Sequence, residues 1–289
     1  MFITLITDCK DDNALGRSTT RLSTLFECNI TTIGVNGWDA DLEAAGNLID
    51  VLDASEGKKG VVLVNVAPRH KAAKKWPNGT PFGCFNYKET LVVISVDGLS
   101  LSLVKKLGIV DSVNVMDIPN VMDFLLEQNV IDEELAEQIK HTQFRSFEFL
   151  PRVASWLTDG LKIPSEKYLI KEVSDAPNAI WWIDNFGNIK TTLIPEDVDF
   201  KVGQTANVKP FSRGGHSTLR DETSGSDSKS GNPSNNLQLK CYNRLKDVPD
   251  HQEALIIGSS GLGEKRFLEI VVQGKSAADH FNVKSGQEI

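Results

Sequence analysis

The 289-residue chain has no run of about 18 consecutive apolar residues, the length a helix needs to cross a bilayer, so no membrane span is expected. Cysteine is scarce: Cys9, Cys28, Cys84 and Cys241 lie too far apart for a CxxC pair or a Cys/His zinc cluster. Free thiols in a reducing cytoplasm are therefore expected, without disulfides or zinc. The 5 histidines, His70, His141, His216, His251 and His280, lack metal-ligand spacing. No metal or redox cofactor is expected. Basic charge is also in deficit, with 31 Lys+Arg against 39 Asp+Glu and a formal net charge of -8. That excludes non-specific binding of nucleic acid or an anionic membrane by the whole surface, but not a local anion site. A G-x-S-x-G nucleophile elbow is missing. The "GKS" at 274–276 lacks the upstream glycine spacing of a phosphate-binding loop. The opening "MFITLITDCKDD" has no basic n-region and is expected to be a first strand rather than a signal peptide.

What is present divides by periodicity. The length favours two domains. In the first half, apolar runs at 2–7, 30–35, 61–66, 90–95 and 112–115 alternate with helical spacing at 12–25 and 39–52. Leu42, Ala45, Leu48 and Ile49 share one helical face. Further helices are expected at 99–107, 119–127, 132–140 and 146–158. Continuous apolar strands between helices predict a parallel sheet covered on both faces, an α/β domain over residues 1–160. From 165 to 289 short strands at 179–183, 189–193, 238–242, 254–257 and 267–272 alternate with turns, predicting a smaller all-β domain. Within it, 212–236 is polar and rich in Gly and Ser, the composition of a flexible loop.

Four stretches could carry chemistry. In "LITDCKDDNALGR" Asp8 ends a strand, and Asp11, Asp12 and Asn13 open a helix. A carboxylate at a strand's carboxyl end can accept two hydrogen bonds from a ribose diol, while helix capping explains at least one of these acids without any ligand. "WWIDNFGNIKTTL" sets Asp184, Phe186 and Asn188 in a tight turn. A plain β-hairpin explains it, and so does a platform on which Phe186 stacks while Asp184 and Asn188 meet polar ligand groups. "FLEIVVQGKSAADHF" reads as a strand, a turn and a short helix capped by Ser276. Finally, "VNVAPRHKAAKKWPNG" gathers Arg69, His70, Lys71, Lys74 and Lys75 just past a buried strand of an acidic protein.

Taken together, the first three of these stretches resemble the S-adenosylmethionine hydroxide adenosyltransferase family, relatives of the fluorinase and chlorinase. "ITDCKDDNA" is similar to its first strand and acidic turn, and "DLEAAGNLI" to its first amphipathic helix after the Ile-Thr strand. "IDNFGNIKTTL" resembles its Ile-Asp-x-Phe-Gly-Asn-x-x-Thr-Asn turn, and "FLEIVVQGKSAADHFNVKSGQEI" resembles its closing Leu-Glu-Ile strand and small-residue helix. The resemblance implies an N-terminal α/β domain, a barrel-like C-terminal β domain, and a homotrimer with sites between subunits. It implies that Asp8 holds the ribose hydroxyls, with Asp11 and Asn13 at the methionine end. Asp184 and Asn188 would bind amino-acid or base edges, and Phe186 would pack on the ligand. The implied reaction is hydrolysis of the C5′–sulfonium bond of S-adenosylmethionine, with no cofactor beyond the substrate itself.

The chain departs from that pattern where water would be activated. The family's Asp, Arg and His fall on Ala67, Lys74 and Phe144, and Asp97 stands where the family has Asn. His70, Lys74 and Asp97 are the remaining candidates for the reacting centre. The basic stretch suggests a second possibility, a hydrolase of an anionic conjugate of S-adenosylmethionine with AMP. Arg69, Lys71 and Lys75 would then hold the phosphate. A third is a binder without turnover.

Overall fold

Strands rich in Val and Ile that are apolar on both faces can only sit inside a sheet with helices on either side. β1 (Phe2–Thr7), β3 (Gly60–Asn65) and β5 (Thr90–Ser95) are such strands, and nearly all their residues are buried. The computed structural model describes residues 1–36, 40–67, 80–211 and 236–289. It divides into two compact units, Met1–Ala176 and Pro177–Ile289.

The first unit is built on a seven-stranded sheet of order β2-β1-β3-β5-β4-β6-β7. Besides the three strands above it contains β2 (Ile30–Gly34), β4 (Phe82–Tyr87), β6 (Ser112–Met116) and β7 (Glu166–Leu169). β2, β1, β3 and β5 run parallel, while β4 and β7 are antiparallel to their neighbours. Alternate residues of each strand face opposite sides. Ile3, Leu5, Val61, Leu63 and Val93 face a core built with Leu22 of α1 (Asp12–Phe26). The same core takes Val121, Met122 and Leu125 of α4 (Ile118–Glu127) and Ala136 and Ile139 of α5 (Glu133–His141). Phe149 and Val153, from the end of the chain's first unit, complete it. On the other side α2 (Ala40–Ser55) packs against β1, β3 and α3 (Ser102–Lys106). Leu42, Ala45, Leu48 and Ile49 are buried there, as their shared face predicted.

Two details depart from expectation. The helix expected at 146–158 is two pieces, α6 (Arg145–Glu148) and α7 (Leu150–Thr158), separated at Phe149. Pro151 lies in the first turn of α7; it has no N–H to donate backward, so it starts a new helix instead of extending the old one. The second detail is the domain boundary. Residues 166–169, assigned to the β-rich domain from 165 onward but not read as a strand, form β7 and pair with β6 in the first sheet, and the division falls at Ala176/Pro177 rather than between 160 and 165.

The second unit is a mostly antiparallel sheet of order β10-β11-β12-β13-β9-β8. The strands are β8 (Ile180–Ile183), β9 (Ile189–Thr191), β10 (Thr205–Val208), β11 (Leu237–Tyr242), β12 (Glu253–Leu262) and β13 (Lys265–Val272). Among the described residues the order is open, with β10 and β8 at its edges, where a closed barrel would have none. Ile180, Ile189, Leu239, Leu255, Leu268 and Ile270 form its core, over which lie Ala277 and Val283 at either end of α8 (Ala277–Phe281). Ser276 caps α8 as expected, accepting a hydrogen bond from the Asp279 N–H at 3.1 Å. The polar stretch expected as a loop at 212–236 lies, except for Asn236, outside the described residues.

Candidate functional site

β1 has β2 on one side and β3 on the other, so the chain reverses its direction of travel across the sheet at β1. In an open α/β sheet such a reversal opens a crevice at the carboxyl ends of the two strands. Asp8 directly follows β1, and Asn65 ends β3. The Asp8 N–H donates to the Asn65 carbonyl at 3.2 Å, and Asp8 Oδ2 accepts from the Ala67 N–H at 3.0 Å. Below them, Thr7 Oγ1 accepts from the Cys9 N–H at 3.0 Å and from Asn65 Nδ2 at 3.1 Å. These bonds fix the direction of the Asp8 carboxylate, and with one bond to each oxygen among the described residues it keeps acceptor capacity for a ligand.

The crevice is a cavity of about 500 Å³. Asp8, Cys9, Asn65 and Ala67 form one part of its wall, and Thr80, Phe82 and Ser95 another. Thr142–Ser146, the segment entering α6, supplies the remainder. Phe144 and Phe147 stack there with ring centroids 5.6 Å apart. The Arg17 guanidinium of α1 lies 4.4 Å from the Phe147 ring centroid and 5.2 Å from that of Phe144. Cys9 Sγ stands 3.6 Å from Asp8 Oδ1, and burial together with that carboxylate raises its thiol above 9.0. The thiol is thus kept protonated beside Asp8.

Of the residues predicted for the site, Asp8 alone lies on the cavity wall among those described. Asp11 caps α1, its Oδ1 accepting from the Ala14 N–H at 2.9 Å, so the capping explanation holds for this residue. Asn13 is exposed in the first turn of α1. Asp97 is buried one layer behind the wall: its Oδ1 accepts from the Gly98 N–H at 2.9 Å, and Thr80 Oγ1 lies 3.5 Å from its Oδ2. It can orient Thr80 but does not itself line the cavity. Arg69, His70, Lys71, Lys74 and Lys75 lie outside the described residues.

In the second unit Asp184, Phe186 and Asn188 come together in the turn between β8 and β9. Asp184 Oδ1 accepts from the backbone N–H groups of Phe186 and Asn188, each at 2.9 Å, and Oδ2 accepts from Asn188 Nδ2 at 3.0 Å. The carboxylate therefore organises its own turn, which holds the Phe186 ring outward at 73% exposure. An aromatic ring fixed in solvent by a rigid turn is a ready stacking surface.

No family model matches the chain, and no curated protein matches it in sequence. Its likeness is to solved structures. One is an uncharacterized conserved protein from Thermotoga maritima, with a TM-score of 0.63 and 16% identity, covering 99% of this chain and 98% of that one. Another is a conserved hypothetical protein from Thermus thermophilus, with a TM-score of 0.56 and 15% identity, covering 99% of this chain and 97% of that one. The likeness is one of fold.

Sequence reasoning did not single out Asn65, Ser95 or Arg145. Asn65 closes a strand of valines, where a polar side chain has no core to join, and that was a readable signal. Arg145 is the first residue of α6 and lines the cavity. Among the described residues, no group of three or more His, Cys, Asp or Glu is placed to hold a metal, and no helix is long and apolar enough to cross a membrane.

Proposed function

We propose that the protein is a divergent relative of the S-adenosylmethionine hydroxide adenosyltransferases that binds an S-adenosylmethionine-type ligand and hydrolyses its C5′–sulfonium bond. The observation that carries this reading is Asp8, a carboxylate with free lone pairs on the wall of a 500 Å³ cavity at the sheet's switch point. A ribose diol donating two hydrogen bonds fits that carboxylate. In the proposed reaction a water oxygen attacks C5′, the C5′–S bond breaks with its electron pair going to sulfur, and the water's proton is released. The products are adenosine and methionine. Sulfonium is a good leaving group, so alignment of water and exclusion of bulk solvent do most of the catalytic work. His70 and Lys74 are the proposed groups nearest the reacting centre, with Asp97 acting on it through Thr80. The cytoplasmic homotrimer with sites between subunits belongs to the same proposal, as does Phe186 as a stacking surface.

The test is incubation with S-adenosylmethionine and chromatography for adenosine and methionine, alongside Asp8→Ala. Product from the wild type and none from Asp8→Ala is expected. Equal product from both would show that Asp8 is not in the site. One observation favours a second reading, a binder without turnover: Ala67 and Phe144, both on the cavity wall, carry no group that could activate water. Calorimetric binding of S-adenosylmethionine with no adenosine formed, even at high protein concentration, would select it.

A further inference from the structure

Four arginines, Arg17, Arg21, Arg145 and Arg152, lie on α1, α6 and α7, and three of them are engaged within the protein. Arg21 and Arg152 both donate to Glu148 Oε2, at 3.3 and 2.7 Å. Arg21 also lies 4.3 Å from the Phe147 ring centroid, and Arg17 covers the Phe144 and Phe147 rings. The fourth, Arg145, lines the cavity, is half-buried, and has no carboxylate or ring partner for its guanidinium among the described residues. Asp8, on the same cavity, makes no ion pair with it: its carboxylate is engaged by the Ala67 N–H and approached by the Cys9 thiol.

An always-charged guanidinium that borders a cavity without a counter-charge among the described residues is a ready partner for an anionic ligand. Its planar fork matches carboxylate and phosphate oxygens, which it binds as charge-assisted pairs. We propose that Arg145 is a specificity-determining residue of this cavity, reading an oxyanion on the ligand whose hydroxyls Asp8 accepts. The inference rests on the adenosyl reading above and deepens it: the substrate class is a nucleoside that carries an anionic group. Adenosine alone would satisfy Asp8 and leave Arg145 unpaired. The oxyanion can be the carboxylate of an amino-acid arm or a phosphate, and the two are separable by choice of ligand.

The experiment is calorimetric titration of wild type, Arg145→Ala and Arg145→Lys with adenosine, AMP, S-adenosylmethionine and decarboxylated S-adenosylmethionine. Wild type is expected to bind at least one oxyanion-bearing ligand more tightly than its counterpart without the oxyanion. Arg145→Ala should weaken that ligand by about 10- to 100-fold, the range of a charge-assisted pair. Adenosine and decarboxylated S-adenosylmethionine should keep their affinity, which also shows that the variant is folded. Arg145→Lys, with the charge but without the fork, should fall between. A loss confined to AMP identifies a phosphate, and one confined to S-adenosylmethionine identifies a carboxylate. Equal effects on ligands with and without an oxyanion, or none, would overturn the inference while leaving the adenosyl reading in place. If wild type bound none of the four ligands, both would fall together.

Discussion

Glu43, in the first turn of α2, is a buried carboxyl with little support. Its Oε2 accepts from the Asn36 N–H at 3.1 Å, its Oε1 has no partner among the described residues, and burial pushes it from 4.5 up to about 7 against the opposing pull of the Asn36 N–H and of Lys10. Between those two values the folded protein holds a proton that the unfolded chain has released. Stability is therefore greatest below pH 4.5 as far as this group is concerned, and falls as pH rises through 7. The difference corresponds to about 3 kcal/mol at most. Glu43→Gln cannot ionise, so urea unfolding of variant and wild type at pH 5 and pH 8 should reveal a gap that widens in the variant's favour at the higher pH. A constant gap would mean that Glu43 does not titrate in this window. Cys9 follows the same logic. With its thiol raised above 9.0 it is less than about 1% thiolate at pH 7, so mapped iodoacetamide labelling of Cys9 should be slow there and accelerate only in alkali. Rapid labelling at pH 7 would contradict the burial of its sulfur beside Asp8.

The turn between β8 and β9 is the element on which the second unit's candidate residues depend. Gly187 has φ +81°, and a Cβ there would lie 2.2 Å from Ser276 Oγ, while its carbonyl accepts from the Ala278 N–H at 2.9 Å. One glycine thus joins the turn to the start of α8. Gly187→Ala meets both a left-handed backbone and a clash, and should cost about 1–3 kcal/mol in denaturant unfolding. Gly203→Ala, also at positive φ but with open space for the Cβ, is the control and should cost less. The elements also divide by how plainly the sequence announced them. β1, β3 and β5 are continuous valine- and isoleucine-rich runs, and the cap of α8 is a serine before a helical run; each was readable because one local rule decides it. β4 was not, because Gly83 interrupts "FGCFNY" and its turn to β5 passes through Lys88 at φ +53° in place of a glycine. β10 is four residues long, with Thr205 and Asn207 facing out, so its pairing with β11 alone makes it a strand. The site divides likewise. Asp8 follows a strand end and could be found; the polar wall of Thr142–Ser146 exists only once α6 and α7 have folded over the sheet.

At the scale of the whole molecule, two units with separate cores call for two unfolding events. Phe149 offers a way to tell them apart. It is fully buried, meets Phe82 at a centroid distance of 6.1 Å, and belongs entirely to the core of Met1–Ala176. Phe149→Ala should cost about 3–5 kcal/mol in that unit. Differential scanning calorimetry is then expected to show one transition moved down by several degrees or more and a second left in place. A single transition shifted as a whole would mean that the two cores unfold as one. The assay also tests the cavity without turnover, because a ligand that binds only the folded state stabilises it by about 2.7 kcal/mol at a hundred times its Kd. Asp8 lies on the cavity of the same unit, so a saturating adenosyl ligand must raise the transition that Phe149→Ala lowers. If the ligand raised only the other transition, Asp8 would not be its receptor, whatever products were found.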